Sequence, residues 1–145
     1  MADIPASDFR KILRHFEREL GLQNQSGCCC GVTITQCHAL MELSAKDNIT
    51  MNELARKLHL DKSTVSRTIE NMVQAGLVER EIPQANRRTT RIRLTPNGQA
   101  TCNTINKGNN EYFERALSAI PPSKLPGFLK GFEQLTSEMM RLNKK

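Results

Sequence analysis

Lys62, Ser63, Thr64, Arg67 and Gln74 lie close together in the sequence, and their side chains suit the edges of nucleic-acid bases and phosphates. Hydroxyls reach either target, and an arginine can fork onto guanine in a major groove. A second group follows at Arg87, Arg88 and Thr89, with Thr90, Arg91 and Arg93 close behind. Between Arg56 and Arg93 there are nine Lys or Arg and four Asp or Glu, so this segment carries +5 of the chain's net +6. A basic balance alone, with a pI near 9.3, only permits a polyanionic partner. A basic excess confined to one segment points to a binding face.

The other reactive residues are thiols. Cys28, Cys29 and Cys30 are consecutive, Cys37 precedes His38, and Cys102 stands apart. An odd number of cysteines without an export signal argues against a disulfide scaffold. Three readings stand side by side. The thiols can form a redox or electrophile switch, in which Cys28 or Cys30 would bridge to Cys37 or Cys102, since adjacent cysteines seldom bridge each other. They can bind a soft or borderline ion such as zinc, copper(I) or arsenite, with Cys28, Cys30, Cys37 and His38 as candidate ligands and His15 a further one, although no C-x-x-C pair is present. Or Cys37 and Cys102 are small hydrophobes on apolar helix faces and the triplet is incidental. The chain is not read as an enzyme. Cys37 and His38, adjacent on a helix, point about 100° apart and cannot act as nucleophile and base. No phosphate loop, metalloprotease motif or serine elbow occurs, and no cofactor is implied.

The elements that position these residues are legible from periodicity and caps. Phe9, Ile12, Leu13, Phe16 and Leu20 predict an amphipathic helix between Asp8 and Leu20. Residues 21–31, with glycine at both ends, read as a loop. Thr33 and Gln36 have capping-box spacing for a helix to about Lys46, with Cys37, Leu40, Met41 and Ser44 inside. Thr50 and Glu53 form a second box, opening a short helix with Leu54, Ala55 and Leu58 inside. Asp61 is an N-cap for a helix to about Ala75, stopped by Gly76 and buried along Val65, Ile69, Met72 and Val73. Residues 77–82 and 90–94 read as strands joined by a polar tip, with Ile92 and Leu94 alternating with Arg91 and Arg93.

Thr95 and Pro96 open another helix. Its stripe is Cys102, Ile105, Tyr112, Phe113, Ala116 and Ile120, with a weak or bent centre expected over Asn106 to Asn110. After Pro121 and Pro122 a last helix carries Leu125, Phe128, Leu129, Phe132, Leu135, Met139 and Leu142. The order is four helices, a hairpin and two helices. More amphipathic helix is present than one such core needs, so the terminal helices are expected to bury their stripes against a second copy of the chain.

The run DKSTVSRTIENMVQAGLVER, followed by NRRTTRIRLTPNG, resembles the core of the MarR (multiple antibiotic resistance regulator) family. The resemblance extends through the flanking helices. It implies a mainly α fold with a small β-hairpin: a winged helix-turn-helix of about residues 33–95, flanked by dimerisation helices at about 6–22 and 96–145, in one domain of 1–145. It also implies a homodimeric transcriptional regulator, a repressor or activator, on a pseudo-palindromic double-stranded operator. In that frame Lys62, Ser63, Thr64 and Arg67 belong to the recognition helix. Arg87, Arg88 and Thr89 belong to the wing, where Asn86 stands in place of the acid the family commonly has. The cysteine loop would lie near the dimer interface and the usual effector pocket, so DNA release by a small molecule, an oxidant or a soft metal is expected. A winged-helix protein–protein adaptor is the alternative. The start of the chain lacks an apolar signal region and no run is long enough to span a bilayer, so the expected location is the cytoplasm.

Overall fold

The computed structural model describes residues 5–27, 31–82 and 89–144, with side chains 25–27 excepted. Its elements are α1 (Ala6–Gly27), α2 (Ile34–Ala45), β1 (Ile49–Thr50), α3 (Met51–Leu58), α4 (Lys62–Gln74), β2 (Val78–Glu81), β3 (Arg91–Leu94), α5 (Pro96–Leu117) and α6 (Leu125–Leu142). The chain divides into two compact units, one ending at Lys107 and the other beginning at Gly108.

The core of the first unit forms around α2, which packs on α3, α4 and β3. Leu40, Leu43, Ile49, Leu54, Val65, Ile69, Met72, Val78, Ile92 and Cys102 are fully buried. Burying an aliphatic side chain of this size contributes about 1.5–3 kcal/mol. The buried face of α2 is wider than its spacing suggested. Cys37, Ala39, Leu40 and Leu43 are buried, Met41 is half-buried and Ser44 is exposed. A helix touched on three sides buries more than one stripe, and Ser44 lies beyond that arc.

Caps set the helix starts. Thr33 and Gln36 complete a reciprocal box at α2, with both bonds at 3.1 Å. At α3 only half of the expected box forms. Thr50 Oγ1 accepts from Glu53 N at 3.1 Å, while the Glu53 carboxylate turns to Lys46 Nζ at 3.2 Å. Both Lys46 and Thr50 lower the Glu53 pKa, the lysine more strongly.

The sheet is three-stranded and antiparallel, in the order β1-β3-β2. Ile49 pairs with Ile92 and Val78 with Leu94, which closes the core beneath α2 and α4. The two-residue β1 is too short to leave an alternation pattern. At the sheet's far end Thr95 N donates to Leu77 O at 3.1 Å. Thr95 Oγ1 donates to Gly76 O at 2.6 Å and accepts from Gly98 N at 2.9 Å. One threonine therefore ties the end of α4, the start of β2 and the first turn of α5 together. Gly98 is buried so tightly there that a Cβ would sit 1.9 Å from Leu77 O.

One helical expectation is corrected. Residues 21–27, read as loop, continue α1. Gly21 has nothing within 4 Å, and a single glycine costs a helix only about 1 kcal/mol. Residues 106–110 lie within the continuous helix α5. Cys102 and Ile105 are buried as expected, whereas Tyr112, Phe113 and Ala116 are exposed.

In the second unit Tyr112 and Phe113 meet edge to face at 5.1 Å. α6 has no buried residue, and leaves Phe128, Phe132, Leu135, Met139 and Leu142 exposed by 37–65% at helical spacing. In the first unit, α1 likewise exposes Phe9, Ile12 and Phe16. No helix among the described residues is long and apolar enough to cross a membrane.

Candidate nucleic-acid interface

α3, its turn and α4 form a helix-turn-helix whose geometry follows from two backbone motifs. α3 ends on His59 in the left-handed region, φ 54°. Leu60 N donates to Ala55 O and His59 N to Arg56 O, at 3.1 and 3.3 Å, the paired bonds of a Schellman ending. α4 ends the same way on Gly76, φ 76°, with Leu77 N to Met72 O at 2.9 Å and Gly76 N to Val73 O at 3.0 Å. Glycine adopts that conformation without strain; histidine does not. Leu60, in the turn, packs against the core and fixes where α4 begins.

Val65, Ile69 and Met72 anchor α4 from below, with Val73 partly buried against them. The opposite face presents Lys62, Ser63, Ser66, Arg67, Asn71 and Gln74, all exposed. Ser66 and Asn71 were not singled out in the sequence, although they lie three and eight positions beyond Ser63 on that same face. Thr64 is half-buried and stands nearer the core than its neighbours.

Asp61 caps α4 and gathers the first turn. Its carboxylate accepts from the hydroxyls of Ser63 and Thr64 and from Thr64 N at 3.4 Å. These hydrogen bonds, Ser63's first, then Thr64's, hold its pKa down to about 2 from 3.8.

Many of the segment's cations are already engaged. Arg80 lies 2.6 Å from Glu70, whose carboxylate also accepts from Gln74 at 3.4 Å. Arg93 lies 3.2 Å from Glu79, directly across the ladder, and 4.0 Å from Glu81. Lys57 reaches Glu42 at 3.6 Å, and Arg91 donates to Asn48 O at 3.1 Å. Such half-exposed ion pairs are each worth about 0–1 kcal/mol, yet they give these cations partners within the fold. Lys62 and Arg67 have no hydrogen bond or ion pair among the described residues, so on α4 they are the cations left to meet a partner.

Thr89 and Thr90 are half-buried at the foot of the wing. They line a pocket of about 220 Å³ with Thr50, Met51 and Asn52, closed on one side by Met51 N donating to Thr90 O at 3.1 Å. Asn86, Arg87 and Arg88 lie outside the described residues, as do Cys28, Cys29 and Cys30. Cys37 and Cys102 are core residues, 5% and 0% exposed. The Cys102 thiol lies 3.8 Å from Leu40 O and 3.9 Å from Met41 Sδ. His38 and His15 are exposed. Among the described residues no three His, Cys, Asp or Glu side chains gather as a metal site.

Comparison with known proteins agrees with this geometry. Residues 31–89 match the model of the MarR family. An uncharacterised HTH-type transcriptional regulator of Bacillus subtilis, YsmB, is 29% identical over 140 residues, covering 93% of each chain. In fold the chain is similar to a MarR family protein from Bacillus stearothermophilus, with a TM-score of 0.82 at 23% identity over 93% of this chain and 95% of that one. It is also similar to Streptococcus pneumoniae FabT solved in complex with DNA, with a TM-score of 0.82 at 16% identity over 96% and 100%.

Proposed function

We propose that the chain, whose residues 31–89 match the MarR family and which is 29% identical to an HTH-type transcriptional regulator over 93% of its length, is a DNA-binding transcriptional regulator of the helix-turn-helix type that acts as a cytoplasmic homodimer on a pseudo-palindromic operator. In this reading the α4 helix of each protomer enters a major groove, as second helices of such motifs do. The observation that carries it is the division of α4 into two faces. Val65, Ile69 and Met72 hold the helix on the core, while Lys62, Ser63, Ser66 and Arg67 stand outward, and neither cation has an ion pair among the described residues.

Lys62 supplies a point charge to a phosphate, and Arg67, a turn further along, supplies a fork that fits the O6 and N7 atoms of guanine. Thr89 directly precedes β3 and is half-buried, and Arg87 and Arg88, which lie outside the described residues, are assigned from the sequence alone as cations for the minor groove. The second copy is supported by the apolar side chains exposed on α1 and α6. Stripes of this kind on a water-facing helix mark a surface that another surface covers. Pairing two such chains sets the reading helices about one DNA turn apart.

Selection of bound duplexes from a random pool tests this. The expected product is an inverted repeat whose half-site centres are separated by about 10 base pairs or a multiple. Recovery of unrelated sequences, or binding that is flat between low and moderate salt, would contradict it, because phosphate contacts release counterions.

A further inference from the structure

The hydroxyls at the start of α4 are not free to act in both directions. A serine or threonine hydroxyl has one proton to donate and two lone pairs with which to accept. In this structure Ser63 gives its proton to one Asp61 carboxylate oxygen and Thr64 gives its proton to the other. Hydrogen bonds to an ionised carboxylate are about twice as strong as neutral ones. The carboxylate is also tied to the helix itself through Thr64 N at 3.4 Å. What Ser63 presents outward, from its exposed position, is therefore lone pairs.

We propose that Asp61 is a specificity-determining positioning residue: by holding the protons of Ser63 and Thr64, it makes these hydroxyls acceptors that read amino groups in the major groove. The inference rests on the reading that α4 enters that groove. Phosphate oxygens, guanine O6 and N7 and thymine O4 all accept, and none can donate to such a hydroxyl. The donors on base edges are the N6 amino group of adenine and the N4 amino group of cytosine. Ser63 accordingly selects an amino base, A or C, over a keto base, G or T, on the strand it faces. Thr64, half-buried, does so only where the groove reaches it. The depressed Asp61 pKa, about 2, keeps the carboxylate ionised throughout the neutral range, so the arrangement does not switch off there. The same negative charge opposes donation to a phosphate at this corner and leaves phosphate binding to Lys62.

The test compares the duplexes selected from a random pool by the full-length wild type, Asp61→Asn, Ser63→Ala and the double variant. Asparagine caps helices as well as aspartate does, so Asp61→Asn keeps α4, and circular dichroism and melting verify that. Its amide oxygen accepts one hydroxyl while its amide nitrogen donates to the other, which frees a hydroxyl proton. The base positions that Ser63 faces are those whose preference Ser63→Ala abolishes. At them the wild type is expected to select an amino base. Asp61→Asn is expected to lower that preference on the order of five- to tenfold without loss of affinity for random duplex. The double variant is expected to discriminate no worse than Ser63→Ala alone, since the aspartate acts through the serine. An Asp61→Asn protein that keeps the wild-type preference, a wild type that selects a keto base there, or additive losses in the double variant would overturn the proposal and leave the DNA reading standing. A folded wild type that enriches no sequence would overturn both.

Discussion

Replacing Gly98 with alanine puts a methyl carbon 1.9 Å from the Leu77 carbonyl oxygen, 2.9 Å from its carbon and 3.3 Å from Leu77 Cα. All three are backbone atoms, so no side chain can swing away, and the first turn of α5 and the start of β2 must separate by about 1 Å or more. That movement strains the Thr95 clasp: Thr95 N to Leu77 O at 3.1 Å, Thr95 Oγ1 to Gly76 O at 2.6 Å and Gly98 N to Thr95 Oγ1 at 2.9 Å. Overpacking costs about 1–3 kcal/mol, sometimes more, and a lost hydrogen bond about 1 kcal/mol. Alanine's better helix propensity returns at most about 1 kcal/mol. The net loss is about 1–3 kcal/mol, which for a chain of this length lowers Tm by roughly 3–10 °C. Gly108, in the same helix, has nothing within 4 Å, and Gly108→Ala is expected to raise stability by about 0.5–1 kcal/mol. Thermal melts at one fixed protein concentration read both changes. Gly98→Ala melting within about 2 °C of wild type, or both variants moving in the same direction, would refute the reasoning.

His59→Gly removes a side chain from a left-handed residue, φ 54°, and is expected to stabilise the fold by about 0.5–1 kcal/mol in a denaturant titration. Asp61→Ala probes linkage. The folded pKa of about 2 lies below the ordinary 3.8, so the unfolded chain takes up the proton first as pH falls. The wild type's advantage over Asp61→Ala is therefore full above about pH 5 and is lost as the pH falls through about 4 toward 2; an advantage that grows on acidification would contradict the assignment. Leu135→Arg places a charge on the exposed stripe of α6 and is expected to weaken self-association at least a hundredfold by analytical ultracentrifugation, from about 2 kcal/mol of lost burial on each protomer.

The parts of the fold written in local chemistry were legible. Thr33, Thr50 and Asp61 each cap the helix expected of them, Gly76 ends α4 in the left-handed conformation, and Ile92 falls on the buried face of β3. What escaped depended on tertiary neighbours. Glu53 abandons the capping box because Lys46 is close enough to take its carboxylate. Ser44 and Leu43 exchange expected places because α2 is covered on three sides. β1 exists only because β3 offers it a partner. The site followed the same rule. Its helix, cap and buried face were readable, whereas the pairing of Arg80 and Arg93 with Glu70, Glu79 and Glu81 depends on a strand register that a count of charges does not contain. Cys37 and Cys102 fall on the apolar spacing of their helices and are buried.

The central claim is that the outward face of α4 reads DNA, and Arg67 tests it most directly because it has no hydrogen bond or ion pair among the described residues. Affinity of wild type and Arg67→Ala is measured on a selected operator and on a random duplex across a range of salt. The account predicts that Arg67→Ala loses about 1–3 kcal/mol on the operator and much less on random DNA, with both proteins weakening steeply as salt rises. An equal loss on the two duplexes would reduce Arg67 to a phosphate contact, and no loss on either would contradict the assignment of α4 as the reading helix.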